Sequence, residues 1–275
     1  MNLRELALQA PLDERSMELR KLILNSIAHS GRGHIGPSLS LLEIISTLYD
    51  SILTHDPKIP DWESRDFFIL SKGHGCLGLF AVLAQHGYFP VSELNTFCSY
   101  ESRLGGHPEW HELPGIEFST GSLGHGLSVA SGIAMALRID GYSQRRVFVL
   151  LGDGELGEGS IWESLLHIAK HKLTNLTTII DYNNMQANGN IDEVLPLGDL
   201  SAKFLSFGFE VIEINGHSRE EIITALTSKS ITKPKLVIAY TVKGKGLPAA
   251  ENSSEWHHKA KVGLKELEKL AGFEK

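Results

Sequence analysis

Two short motifs in this chain have the residue types and spacing to do chemistry together. Gly152-Asp153-Gly154-Glu155 follows the apolar run Val147-Phe148-Val149-Leu150-Leu151, and Asp181-Tyr182-Asn183-Asn184 follows a second apolar run, Leu176 to Ile180. Asp153 and Asn183 stand 30 residues apart, each at the carboxyl end of a predicted strand, with a predicted helix over Gly159 to Leu166 between them. A right-handed strand-helix-strand unit brings those two ends side by side. One anionic and one neutral oxygen ligand then face a helix N-terminus, a position that favours a phosphate group. A hard divalent cation bridging a diphosphate to protein needs this combination.

A Gly-Asp-Gly turn by itself is common after strands in α/β proteins; Asn183 at the next strand end gives it weight. The Gly-Lys-Ser/Thr phosphate loop is missing, which disfavours a P-loop NTPase.

The elements that must position these residues follow from periodicity. Pro11-Leu12-Asp13 opens a helix with Leu19, Leu22, Ile23, Ser26 and Ile27 on one stripe, and it stops at Gly31-Arg32-Gly33-His34. Ser40 to Tyr49 reads as a second helix, and Leu77 to His86 as another that closes at Gly87. Ser92 to Tyr100 is weakly helical, and Glu101 to Gly115 reads as a long functional loop. A small-residue helix follows Gly126, a helix runs from Ser218 to about Thr227, and Lys261 to Ala271 has the pattern of an amphipathic helix. Strands are expected at Phe67-Phe68-Ile69-Leu70, at the two runs before the opening motifs, near Phe209 to Ile214, and at Leu236 to Tyr240. They are continuous apolar runs rather than alternating ones, so both faces should be buried. The expected fold is α/β: a mostly parallel sheet with helices on both faces. Residues 1–275 read as one domain, without repeat or linker.

Composition narrows the function classes. The net charge is −7 and no Lys/Arg run forms a polybasic patch, so a nucleic-acid backbone is not the expected partner. Cys76 and Cys98 make neither a disulfide framework nor a zinc pattern. The N-terminus carries Arg4, Glu5, Asp13, Glu14 and Arg15 rather than a signal-peptide apolar region, and no apolar run nears the ~18 residues of a membrane span. A cytoplasmic location is the expectation.

Histidines sit in glycine-flanked loops after strands or before helices: His34, His74, His107, His125 and His257-His258. Any one alone would be an ordinary surface or capping residue. Six on the loops of one sheet edge point to a site that handles protons or binds polyhydroxyl compounds. Their spacing does not suggest zinc. His167 and His171, four apart on the helix after the first motif, share it with Leu165, Leu166 and Ile168, so a packing or surface role fits them better.

The motifs resemble those of the transketolase family. Gly152-Asp153-Gly154 through Asn183 looks like a thiamine diphosphate signature. Around it stand, in family order, Ser30-Gly31-Arg32-Gly33-His34-Ile35-Gly36, Ser71-Lys72-Gly73-His74, Gly105-Gly106-His107-Pro108-Glu109, Thr120-Gly121-Ser122-Leu123-Gly124-His125-Gly126, Thr241-Val242-Lys243-Gly244-Lys245-Gly246 and Glu255-Trp256-His257. The resemblance covers about Arg15 to Lys259 and matches the diphosphate-binding domain. It implies the N-terminal subunit of a split, two-chain transketolase. The pyrimidine-binding and C-terminal domains are then expected on a partner chain, in an α2β2 heterotetramer.

Roles carry over by resemblance alone. Asp153, Asn183 and the backbone carbonyl of Met185 would hold Mg²⁺. His74 and the Gly154 amide would contact the diphosphate of thiamine diphosphate, while Gly121 and Leu123 would line its rings. His34, His107 and His257 would face the ketose donor, with His257 and His258 interchangeable in the last motif. Glu158 and Glu163 match a carboxylate pair at the interface between active sites. The implied reaction moves a two-carbon ketol unit from a ketose (phosphate) to an aldose (phosphate). Departures from the family pattern are Ile35 and Ser122 in place of proline, His125 in place of glutamine, and His258 in place of glycine. They bear on the substrate pocket more than on the cofactor site. Other thiamine diphosphate enzymes stand as alternatives: a 1-deoxyxylulose-phosphate-synthase-like enzyme, or the alpha chain of a keto-acid dehydrogenase. The alternative of a different class is a non-catalytic chain that only stabilises its partner.

Overall fold

A computed structural model describes residues 1–263 and 265. The expected helix at Lys261 to Ala271 falls for the most part outside the described residues. The described strands are β1 (Phe67–Leu70), β2 (Val147–Gly152), β3 (Leu176–Tyr182), β4 (Glu210–Asn215) and β5 (Lys235–Tyr240). They form one sheet in the order β1-β2-β3-β5-β4, and every pairing is parallel. In β1, β2, β3 and β5 the apolar runs have the doubly buried character that the sequence implies, whereas the edge strand β4 is only partly buried and its Glu213 is exposed. Phe148, Leu150, Ile179 and Val237 enter one core, and Val147, Val149, Leu151, Ile180 and Ile238 enter the other. Neighbouring residues point to opposite faces, so a strand covered on both sides must be apolar throughout.

The first core is closed by α2 (Glu14–Ser30), α3 (Ile35–Ser40), α4 (Leu42–Thr47), α5 (Cys76–His86) and α10 (Arg219–Thr227). The second is closed by α6 (Gly126–Ile139), α7 (Gly159–His171) and α9 (Leu200–Ser206). The Asp13 side chain caps α2 by accepting the Ser16 N–H at 2.7 Å, and Gly31 ends it at φ 66°. A left-handed residue at that point is the usual glycine helix stop.

The expected single helix over Ser40 to Tyr49 is instead three pieces. α3 starts earlier, at Ile35, because Pro37 falls in the first turn, where its missing N–H costs nothing. The chain breaks at Leu41 (φ −95°, ψ −3°), and α4 ends in a π turn over Leu48–Ile52. The expected helix over Ser92 to Tyr100 is a 3₁₀ stretch over Val91–Thr96. Three short helices are additional to the sequence reading: α1 (Leu3–Gln9), α8 (Ile191–Val194) and α9. Their N-cap side chains, Asn2, Asn190 and Asp199, were legible signals. No helix among the described residues is long and apolar enough to cross a membrane.

A buried charged clamp ties the elements behind the sheet edge. Arg20 on α2 pairs with Glu43 on α4 at 2.7 Å, and its Nε donates to the Lys245 carbonyl at 2.7 Å. His217 donates Nδ1–H to Glu43 at 2.7 Å, while its Nε2 accepts the Val242 N–H at 2.9 Å. Segment 242–245 is thereby held against α2 and α4. Gly244 sits within it at φ 79°, and a Cβ there would lie 2.2 Å from the Ala250 carbonyl oxygen. Backbone cannot yield as a flexible side chain can. Gly244→Ala should therefore lower stability by about 3 kcal/mol or more, read as a fall in the urea midpoint at unchanged m-value. An unchanged midpoint would refute that packing.

Candidate functional site

Register fixes the two opening motifs beside each other. Gly152 at the end of β2 pairs with Asp181 on β3, and the ladder continues as Asp153 N–H donates to the Asp181 carbonyl at 3.2 Å. Asp153 is 2 % exposed. Its Oδ1 accepts the Gly154 N–H at 2.8 Å, and its Oδ2 accepts the Asn184 N–H at 2.5 Å. The Asn183 Oδ1 accepts the Met185 N–H at 3.0 Å. Asn184 holds φ 63°, and its amide donates to Asn190 and Asp192 at 3.0 Å each. The loops after β2 and β3 are thus sewn to each other. Burial and the nearby Asp181 carboxylate push the Asp153 carboxyl up to about 7.

Beneath this pair lies a second, fully internal charge. Asp181 is inaccessible to solvent and forms an ion pair with Lys72, which is itself 1 % exposed. Asp181 also accepts the hydroxyls of Ser40, at 2.6 Å, and Thr241. Burial alone would raise Asp181, but the Lys72 ammonium and these hydrogen bonds hold its carboxyl below the ordinary range. Glu155 joins three segments: its carboxylate accepts Ser71 Oγ–H at 2.5 Å, Gly124 N–H at 2.8 Å and Gly152 N–H at 3.1 Å.

The histidines make the opposite wall. The His34 ring lies 5.7 Å from His74, 5.8 Å from His107 and 5.7 Å from His257, and His74 stacks on His257 at 5.3 Å. Lys243 Nζ donates to His257 Nδ1 at 2.8 Å and to the Gln186 carbonyl at 2.9 Å. Burial, together with neighbouring His258 and His107, lowers His34 to about 4. Burial and then the Lys243 ammonium lower His257 to about 3. His74 falls well below its ordinary value through burial and the charge of Lys72, and burial also lowers His107. These rings are neutral at pH 7, so they can accept or donate a hydrogen bond without carrying charge.

The two walls enclose a cavity of about 300 Å³. Asp153, Gly154, Asn183, Met185, Gly121, Leu123, His34, His74, His107 and His257 all line it. Glu158 and Glu163 do not. Both are exposed, Glu158 at the N-cap of α7 against Gly124 and Glu163 within the helix. His125, at the N-cap of α6, is exposed and outside the lining. His258 is exposed and rests on His34 at 4.6 Å, so of the last two histidines it is His257 that faces the cavity. Lys72, Lys243, Pro37 and Gln186 also line it and had been given no role from sequence. A signal for the lysines was present: each stands beside a glycine just after a strand end, where a buried cation needs a reason.

The donor set suits a hard cation. Asp153 is a buried carboxylate whose own hydrogen bonds come only from backbone amides, and the amide of Asn183 and the carbonyl of Met185 are neutral oxygens beside it. Among the described residues no group of three or more His, Cys, Asp or Glu is placed to hold a metal ion, so a softer, imidazole- or thiolate-rich centre is not built here. Two of the lining glycines bring backbone to the cavity. A Cβ at Gly154 would come 3.1 Å from Gln186, and one at Gly121 would come 3.2 Å from His107, so backbone rather than side chain faces the space. Lys243 has no carboxylate partner among the described residues, and two of its three N–H groups go to neutral acceptors.

Comparison with known proteins gives one answer. The family model for "Transketolase, thiamine diphosphate binding domain" matches residues 13–274. The chain is 43 % identical over 255 residues to one chain of the apulose-4-phosphate transketolase of Actinobacillus succinogenes, covering 92 % of each. It is 37 % identical over 269 residues to a 6-deoxy-6-sulfo-D-fructose transketolase subunit of a Clostridium species, covering 95 % of this chain and 98 % of that one. Among solved structures, the transketolase of Campylobacter jejuni superposes with a TM-score of 0.85 at 34 % identity, over 99 % of this chain and 43 % of that chain. The transketolase of Leishmania mexicana also gives 0.85, at 26 % identity, over 99 % of this chain and 41 % of that chain. The chain spans about two fifths of the length of these structures.

Proposed function

The chain belongs to the transketolase family through its thiamine diphosphate binding domain, and from that premise we propose that it is the N-terminal subunit of a two-chain transketolase. In this reading it moves a two-carbon ketol unit from a ketose to an aldose, in the cytoplasm. The observation that carries the proposal is one cavity in which the oxygen site of Asp153, Asn183 and Met185 faces the neutral imidazoles of His34, His74, His107 and His257. Asp153, Asn183 and the Met185 carbonyl would hold Mg²⁺, and the Gly154 amide, His74 and the free N–H of Lys243 would meet the diphosphate. Gly121 and Leu123 would lie along the cofactor rings. Bound there, thiamine diphosphate supplies the electron sink for carbon–carbon cleavage.

The protein's own part is orientation and proton transfer. Neutral imidazoles 5.3–5.8 Å apart suit hydrogen bonds to successive hydroxyls of a sugar. The relatives' names speak of a sugar phosphate and a sulfonated sugar, and the proposed substrate class is accordingly a ketose with an anionic terminus. The lining cations, Lys72 and Lys243, lie at the diphosphate end, so the terminal anion is assigned to a partner chain carrying the pyrimidine-binding domain. Glu158 and Glu163 are then assigned to the contact between active sites in an α2β2 assembly.

The expected result is ketol transfer from a ketose phosphate only when the purified chain is mixed with its partner, Mg²⁺ and thiamine diphosphate, with turnover by either chain alone lower by at least ~10³-fold, on the scale of lost acid–base groups. Full turnover by this chain alone would reject the split active site. Turnover of pyruvate in place of a ketose would reject the transketolase assignment.

A further inference from the structure

We propose that Lys243 is a positioning residue for His257, holding the ring as the tautomer that carries its proton on Nε2. The argument begins with the hydrogen bond between Lys243 Nζ and His257 Nδ1, 2.8 Å long. An ammonium has three N–H groups and no lone pair, so it can only donate. Nδ1 must therefore be the acceptor, and the ring proton must reside on Nε2. Nε2 has no protein partner among the described residues, so the N–H that this ring offers is turned to the cavity it lines.

Lys243 is built to do this rather than placed by chance. It is 1 % exposed, and its second N–H is spent on the Gln186 carbonyl at 2.9 Å. The backbone on either side is fixed: Gly244 N–H donates to the Gly36 carbonyl at 3.1 Å, and the Lys243 carbonyl accepts the Asn252 N–H at 2.9 Å. The aliphatic stem runs over Gly36, where a Cβ would come 3.0 Å from Lys243 Cγ. A flexible side chain is thereby left with one course, which ends at His257.

The charges around the ring work in the same direction. Lys243 and Lys72 are cationic, the rings of His34, His74 and His258 face His257, and the buried Asp153 carboxyl lines the same cavity. Burial and the two ammonium groups oppose a second proton on the ring, in keeping with its lowered proton affinity. His257 then acts as a neutral hydrogen-bond donor throughout the physiological range, and accepting a proton at Nε2 is closed to it. Assigning that donor to a sugar oxygen rests on the proposed function; the tautomer does not.

The test uses the whole chain, labelled with ¹⁵N-histidine and free of cofactor. Two-bond ¹H–¹⁵N spectra report the tautomer of each ring, and the His257 signals are identified by their loss in His257→Gln. Burial and the Lys72 ammonium lower Lys243 to about 8, so the expected wild-type pattern is Nε2–H, unchanged from pH 7 to pH 5. In Lys243→Met the pattern should become a mixture of tautomers, with protonation appearing between pH 7 and pH 5. Lys243→Arg, also a pure donor, should restore the Nε2–H pattern. A wild-type Nδ1–H tautomer, or a methionine variant with the wild-type pattern and titration, would overturn the proposal. Should the methionine variant fail to fold by circular dichroism, the wild-type tautomer decides alone. In the complex with the partner chain, Lys243→Met should lower kcat for the ketose at least tenfold. An Nε2–H tautomer in a complex without ketol transfer would sink the functional reading and leave this one standing.

Discussion

Asp153→Ala should weaken Mg²⁺-dependent thiamine diphosphate binding at least ~100-fold, since loss even of outer partners of a metal site costs ten- to a hundredfold. It removes the anionic oxygen of the proposed donor set while leaving the fold in place. Titration calorimetry with the cofactor at fixed Mg²⁺ measures this directly, and unchanged affinity would reject the metal assignment. Stability gives a second, independent reading. The folded Asp153 carboxyl has its proton affinity raised from an ordinary 3.8 to about 7. The folded state therefore holds a proton that the unfolded state has released, and stability falls as pH rises through that window. The loss across it is on the order of 4 kcal/mol. Without metal, the wild type should lose stability relative to the alanine variant as pH rises from 5 to about 7, while the lowered histidines and the raised Glu117 act on both chains alike. Mg²⁺ with the cofactor should restore the wild-type midpoint at pH 8 and leave the variant's where it was. A variant whose midpoint follows pH in parallel with the wild type would show that Asp153 does not carry this effect.

The second large effect should come from Lys72→Met. Its side chain compensates Asp181, which no solvent reaches. Breaking a buried pair by removing one partner costs about 3–5 kcal/mol, because the remaining charge stays buried. Ser40 and Thr241 would still hydrogen-bond Asp181, but hydroxyls do not neutralise it. The pH dependence should also change sign. In the wild type the folded Asp181 carboxyl is held below its unfolded value, so its contribution is present above that value and is lost on acidification. In Lys72→Met its proton affinity rises, so the damage should be least near pH 4 and grow towards neutrality. Adding Asp181→Asn to Lys72→Met should recover most of the loss. Urea denaturation of the four chains as a double-mutant cycle measures the coupling, and additive losses would refute the pairing.

What could be read without coordinates follows a physical division. Asp153 and Asn183 were legible because each ends an apolar strand and a parallel crossover has one hand, so neighbouring strand ends follow from order along the chain. His34, His74, His107 and His257 were legible from motifs in family order. The two lysines were harder. Lys72 was visible in Ser71-Lys72-Gly73-His74, but its partner Asp181 is 109 residues away, and nothing local to either announces the other. Arg20, Glu43 and His217 are likewise polar residues on three separate segments, and their side chains meet only once those segments pack. Local propensity does not show the break at Leu41 or the π turn over Leu48–Ile52 that divide the run from Ser40 to Tyr49.

One pairing at the rim of the cavity bears on the order in which this protein can become itself. Gly33 and Lys259 exchange backbone hydrogen bonds at 2.9 and 3.0 Å, and Val262 N–H donates to Gly31 at 2.7 Å. The chain passes through all five described strands before it returns to lay His257 beside His34. Contacts of such sequence separation close loops of high entropic cost and tend to form late. On a ribosome, the oxygen site after β2 and β3 can be complete while the histidine wall still lacks a member. A nascent chain would hold the makings of an anion site well before it holds a substrate site, and its competence would arrive only with the segment around residue 259.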